Sequence, residues 1–261
     1  MMFGYLQNAW QDEARFMNLL SYTFIVLSVF VVCILGYVSA PYGRYSRPGW
    51  GPLIPVRLAW FLQELPSLLM PLYILCFTEC PRAGEWKNKV ALGLFIFHYI
   101  QRTFIFPFLI RGGKPTSLAA FVSAVMFCVA NGYLQGGYLL KFADFQNVCD
   151  AQFYAGLLLF LSGFAINIHS DHILRNLRRG SETEYKIPHG GMFEYVSGAN
   201  FFGEILEWFG FAIMNNTLPA FAFFVFTLCN TGQRACHHHR WYQKKFEDYP
   251  KKRKALIPFL L

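Results

Sequence analysis

Several polar residues stand where the surrounding chain is too apolar to suit them. Glu64 lies in Gln63-Glu64-Leu65-Pro66, inside the otherwise apolar stretch 58–77. An ionisable group in hydrocarbon is costly and usually faces a cavity or a partner. Glu64 is therefore either a structural carboxylate paired with a base such as Arg102, or a carboxyl that polarises a bound group. Pro66 weakens the helix at that point and frees backbone groups. A second constellation, Asn167, His169, Asp171 and His172, closes an apolar run and is followed by Arg175, Arg178 and Arg179. Asn167 and Asp171 are one helical turn apart, as are Asp171 and Arg175. Asn and Asp together can fix ribose or amide groups, and arginines grip phosphates with forked hydrogen bonds. The alternative is a helix end with a solvated basic face. Asn200, Glu204 and Glu207 make a third polar face, at i, i+4 and i+7.

Metal chemistry fits these residues poorly. Glu204 and Glu207 have no companions to complete a first shell. His237-His238-His239 and the H-x-x-H of His169 and His172 suggest a membrane di-iron enzyme, but such sites need more histidines than the seven in this chain. Consecutive helical residues also diverge by about 100°, so the three histidines cannot share one ion, and one of them is expected to face inward. Gly112-Gly113 and Gly190-Gly191 are no dinucleotide fingerprint, because no strand precedes a G-x-G-x-x-G. The seven cysteines are odd in number, contain no C-x-x-C pair and read as buried free thiols.

The elements that must carry these groups are membrane helices. Of 261 residues, 55% are hydrophobic and only 15% charged, against about 25% charged in ordinary soluble domains. That composition excludes disorder, fibrous repeats and secreted disulfide scaffolds. Apolar stretches near the required 20 residues begin at Phe16, Leu58, Val90, Pro115 and Ala151. A sixth runs over about 192–211 and holds Glu194, Glu204 and Glu207. The Asn215-Asn216-Thr217-Leu218-Pro219 segment offers a turn that separates it from a seventh. The fold expected is all-α, with seven transmembrane helices and no Rossmann domain. Of the 23 Lys and Arg, most fall on one side of that arrangement. The bias places the N-terminus outside and the C-terminus in the cytosol. The cluster Lys251-Lys252-Arg253-Lys254 reads as a membrane-flanking tail or as help for an anionic ligand, and nucleic acid is not needed to explain it.

Ordered blocks along nearly the whole chain resemble the steroid 5α-reductases (3-oxo-5α-steroid 4-dehydrogenases). They are Trp60–Pro66, His98–Arg102, Asn131–Gln135, Ile166–Arg175, Tyr195–Asn200, Glu204 with Glu207-Trp208, and Arg234–Pro250. The resemblance implies a single membrane reductase domain over 1–261, with about 1–114 mainly steroid-facing and about 115–261 mainly NADPH-binding. It implies NADPH contacts from Asn167, Asp171, Arg178, Tyr185, Asn200, Glu204, Arg234, His238 and Tyr242. Gln63, Glu64 and Tyr99 would face the steroid, with Glu64 and Tyr99 polarising its 3-keto oxygen as catalytic groups. Tyr99, Tyr185 and Tyr242 rest on the resemblance alone, since tyrosines in an aromatic-rich membrane chain ordinarily read as core or interface belt. The expected reaction is reduction of a 4-ene-3-one to the 5α-dihydrosteroid. Hydride goes to C5, charge builds on the distant oxygen, and donors aimed at that oxygen stabilise it; Tyr99, hydrogen-bonded to a neutral Glu64, would supply them. The expected partners are steroid and membrane lipid, around a monomer with neither metal nor nucleic acid. The expected location is the endoplasmic reticulum in a eukaryote, or the inner membrane in a bacterium. Two alternatives stay open: a related reductase of polyprenol or enoyl lipids, and a non-enzymatic sterol-binding protein.

Overall fold

The computed structural model describes residues 2–39, 41, 43–45, 47–177 and 185–261, without the side chains of residues 2–11. Long helices dominate: α1 (Met2–Tyr37), α2 (Val56–Phe77), α3 (Trp86–Leu109), α4 (Leu118–Lys141), α5 (Asp150–Asn176), α6 (Ala199–Asn215) and α7 (Leu218–Lys245). Among the described residues the only sheet is a two-stranded antiparallel ribbon, β1 (Leu53–Ile54) with β2 (Thr116–Ser117), so there is no Rossmann domain. Five helices, α2 to α5 and the 12–37 part of α1, are long and apolar enough to cross a membrane. Their outer faces carry bare apolar side chains: Leu158 and Met126 are each 67% exposed and Phe77 75%. Such a surface is stable against lipid and not against water. The chain is a multi-pass membrane protein.

The other two helices depart from the expected spans. The sixth starts at Ala199, not near Met192, because the chain before it is held by the C-terminal segment. Ser197 N–H donates to the Lys254 carbonyl at 2.8 Å and Gly198 N–H to that of Ala255 at 3.0 Å. Gly190 and Gly191, both at positive φ, lead into a short 3₁₀ turn, Gly191–Glu194. Glu194 therefore lies outside the helix, its carboxylate accepting the Gly190 N–H. At 17 residues, α6 spans about 25 Å, less than the hydrocarbon core. The expected turn is present: α6 ends at Asn215, Asn216 is left-handed, and Pro219 sits in the first turn of α7. That helix continues to Lys245 and carries Arg234, the three histidines and Tyr242 beyond its apolar half. In the terminal cluster, Lys251 and Lys252 are exposed but Arg253 is buried, its Nη1 donating to the Pro188 carbonyl at 3.0 Å.

Small residues let the helices approach closely enough to place the site. On α5 and α6, Gly156, Gly163, Gly203 and Gly210 face one another. A Cβ on Gly163 would come 2.2 Å from the Glu207 nitrogen, and one on Gly203 would come 2.5 Å from the Asn167 nitrogen. Without a hydrophobic drive in lipid, such close backbone contact supplies van der Waals attraction. The α2–α4 pair is built likewise, Gly132 against Ser67 and Gly136 against Pro71. Between these pairs sits an aromatic core, with Trp208 4.3 Å from Phe223 and Phe95 4.7 Å from Tyr99 by ring centroid.

Candidate active site

A cavity of about 710 Å³ lies between the helices, within the roughly 300–1,000 Å³ typical of small-molecule sites. Leu35, Trp60, Phe106, Phe127, Phe223 and Phe226 form apolar parts of its wall. Its polar groups come from α2, α3 and the α5–α7 helices. Gln63, Glu64, Tyr99, Asn167, Asp171, Asn200, Glu204, Arg234 and His238 all line it, so residues far apart in sequence converge on one space.

Glu64 sits on α2 just before two internal prolines, Pro66 and Pro71. Its Oε1 accepts from Gln63 Nε2 at 3.1 Å, and Cys128 Sγ lies 4.0 Å from Oε2. The buried Tyr99 hydroxyl accepts from Asn131 Nδ2 at 3.2 Å. Asn131 Oδ1 is in turn held by Gln135 Nε2, which also donates to the Pro219 carbonyl. One lone pair of Tyr99 is thus occupied, and Ser67, whose hydroxyl donates to the Cys128 carbonyl at 3.0 Å, is the other side chain hydrogen-bonded beside it. The direct Tyr99–Glu64 hydrogen bond expected from sequence is not made; the two groups share the cavity and not a proton.

Arg102 does not pair with Glu64 either. It lies on a π-helical turn, Gln101–Ile105, a distortion common at functional sites. Its guanidinium packs 4.8 Å from the Trp60 ring and 4.2 Å from that of Phe106, and Nη1 donates to Asp171 Oδ2 at 3.2 Å. Asp171 Oδ1 accepts from Asn200 Nδ2 at 3.4 Å, and Asn167 Nδ2 donates to the Asn200 carbonyl at 2.9 Å. A chain of polar groups therefore ties α3, α5 and α6 together along the cavity. Arg175, placed beside Asp171 by helical spacing, instead meets His172 Nδ1 at 2.9 Å.

Sequence reasoning missed the partner of Glu207. His98 Nδ1 lies 2.7 Å from Glu207 Oε1, both side chains buried. The residues are 109 positions apart, and only the intrusion of Glu207 into an apolar run hinted at a mate. The three histidines diverge: His237 Nε2 donates to the Leu35 carbonyl at 2.6 Å, His239 Nδ1 meets Ser197 Oγ at 2.6 Å, and His238 lines the cavity. Tyr185 and Tyr242 lie off the main cavity, around Arg44. Arg178 falls outside the described residues.

Helices enclosing a mixed apolar and polar cavity of this size define a membrane-embedded small-molecule site. Comparison with known proteins sharpens that class. The family model described as 3-oxo-5-alpha-steroid 4-dehydrogenase matches residues 114–261. The mouse 3-oxo-5-alpha-steroid 4-dehydrogenase 1 is 52% identical over 252 residues, covering 96% of this chain and 99% of its own. The human type 1 protein is 47% identical over 250 residues, covering 95% and 96%, and human type 2 is 49% identical over 231 residues, covering 86% and 90%. The chain belongs to the 3-oxo-5-alpha-steroid 4-dehydrogenase family and is an oxidoreductase of steroid metabolism.

Proposed function

We propose that this protein reduces the C4=C5 double bond of 3-oxo-Δ4-steroids of the testosterone or progesterone type to 5α-dihydrosteroids, with NADPH as reductant. Family membership supports the reaction class. The observation that carries the mechanism is the Tyr99 hydroxyl at the cavity wall, held in place by Asn131. A flat sterol skeleton suits aromatic helix faces, and a 3-keto oxygen is the acceptor that the Tyr99 hydroxyl would address, with the Glu64 carboxyl beside it. Hydride addition at C5 turns that carbonyl into an enolate, donors fixed beforehand at the oxygen stabilise the charge as it develops, and protonation at C4 then completes the saturated 3-ketone. Gln63 holds Glu64 in place through its 3.1 Å bond.

The polar side of the cavity fits a nicotinamide nucleotide. Asn167, Asn200 and Asp171 offer amides and a carboxylate for ribose hydroxyls or a carboxamide, and Arg234 with His238 offers cationic and N–H donors for phosphate oxygens. Bound there, the reduced nicotinamide supplies the hydride. The protein's own work is to orient both molecules and exclude water. Arg178, Tyr185 and Tyr242 extend the nucleotide contacts in this reading, which divides the chain near residue 114 into a mainly steroid-facing and a mainly nucleotide-facing part. The asymmetry of Lys and Arg supports an external N-terminus and cytosolic C-terminus.

Purified protein given NADPH and testosterone should consume NADPH at 340 nm. A Δ4-steroid lacking the 3-ketone should not be turned over. Equal consumption with that analogue, or turnover of polyprenol alone, would overturn the proposal.

A further inference from the structure

The turn Gly43–Tyr45 between α1 and β1 adds two side chains, Arg44 and Tyr45, to a cluster whose Tyr185 and Tyr242 are already given to the nucleotide. The Arg44 guanidinium carbon lies 4.9 Å from the Tyr185 ring centre, 4.4 Å from Trp241 and 4.9 Å from Tyr242. Its Nη2 donates to the Tyr242 hydroxyl at 3.3 Å. Nη1, by contrast, is buried without a hydrogen-bond partner, and so is the Tyr45 hydroxyl. Both residues line a small chamber of about 80 Å³, together with Ser39, Arg234, His237 and His238. Among the described residues, no carboxylate lines it. Ser39, Arg234 and His238 also line the main cavity, so the two spaces adjoin.

A buried donor on a cation costs free energy if nothing accepts from it. The rings packed around Arg44 restrain the guanidinium plane, so the group cannot easily turn to find water. Burial keeps the Tyr45 hydroxyl protonated by pushing its pKa above the ordinary value, so it too remains a donor. The partner that satisfies these donors is an anion with several acceptor oxygens. A chamber of about 80 Å³ suits a single phosphoryl group.

We propose that Arg44 and Tyr45 form a phosphate subsite, which receives a phosphoryl group of the nucleotide whose nicotinamide end lies in the main cavity. The subsite rests on the nucleotide reading above and adds the first loop to the residues that hold it. The phosphoryl group can come from the 2′-phosphate or from the diphosphate.

The test is equilibrium titration of the full-length protein in detergent with NADPH and, in parallel, NADH, for the parent, Arg44→Gln and Tyr45→Phe. Arg44→Gln should weaken NADPH binding by roughly ten- to a hundredfold, the loss of a charge-assisted contact. Tyr45→Phe should weaken it by about three- to tenfold, and steroid binding should stay within about twofold in both. A loss confined to NADPH assigns the 2′-phosphate; an equal loss for both nucleotides assigns the diphosphate; either outcome supports the subsite. Parent-like affinity for both nucleotides in either folded variant overturns it, as does a steroid affinity that falls in step with the nucleotide's. Tyr45→Phe deletes one oxygen and decides the question if Arg44→Gln does not fold. A parent that binds neither nucleotide overturns the cofactor reading itself, a result distinct from parent binding that the variants fail to disturb.

Discussion

Replacing Gly203 by alanine tests whether close packing of α5 on α6 sets the site. The added Cβ would stand 2.5 Å from the Asn167 nitrogen, where ordinary contact begins at 3.4 Å, so the two backbones must part by about 0.9 Å. If Asn200 moves with α6, the 2.9 Å bond from Asn167 Nδ2 to the Asn200 carbonyl stretches to about 3.8 Å, beyond hydrogen-bond reach. Overpacking costs about 1–3 kcal/mol, and the lost hydrogen bond about 1 kcal/mol more. Alanine regains about 1 kcal/mol of helix propensity, leaving a net loss of about 1–3 kcal/mol. For a chain of this size, that lowers Tm by roughly 2–10 °C. A displacement near 1 Å at groups that position ligands can also cost up to about a hundredfold in turnover. Gly93→Ala is the control: a Cβ there meets nothing within 4 Å, so propensity alone should act, neutral or slightly stabilising. Thermal unfolding in detergent and steady-state turnover, run on both variants, give the comparison. A Gly203→Ala protein as stable and as active as Gly93→Ala would refute the packing argument.

Glu64→Gln and Tyr99→Phe should each lower turnover by about a hundredfold with NADPH affinity nearly unchanged, and the double variant should be hardly worse than the poorer single one, because the groups act as a unit; kcat measured beside nucleotide titration checks both points. Glu207→Ala strands buried His98 without its 2.7 Å partner and should destabilise by about 1–3 kcal/mol, the cost of a buried polar group left unpaired, whereas Glu207→Gln keeps an acceptor and should lose less; thermal melts decide. Cysteine labelling from either side of sealed vesicles should reach a tag after Leu261 only from the cytosolic face.

Much of this architecture was legible as composition and pattern. The apolar runs of α1 to α5 announce themselves by length, and Asn216 with Pro219 marks a turn that either residue alone would leave ambiguous. The start of α6 was not legible, because residues 192–198 are apolar enough for a helix. What holds them out of it is backbone pairing with Lys254 and Ala255, a contact that no local pattern encodes. The site shows the same division. Glu64, Asp171, Asn200 and Glu204 stand out because lipid makes each of them expensive. Their partners do not stand out: Arg102 meets Asp171 across 69 residues, and His98 meets Glu207 across more. The seven-residue spacing of Gly156 with Gly163, and of Gly203 with Gly210, is visible in the chain. It acquires meaning only when the two helices are known to face each other. Arg44 gave no signal at all, as one arginine in a loop of ordinary composition.

In the proposed reaction a hydride passes from NADPH to C5 on the α face of a 3-oxo-Δ4-steroid. Its most direct test is incubation with testosterone and NADPH carrying deuterium at the transferred position of C4, followed by determination of product structure. The product should be 5α-dihydrotestosterone with deuterium at C5. A 5β product, deuterium at C4 in place of C5, or no deuterium in the product would contradict it.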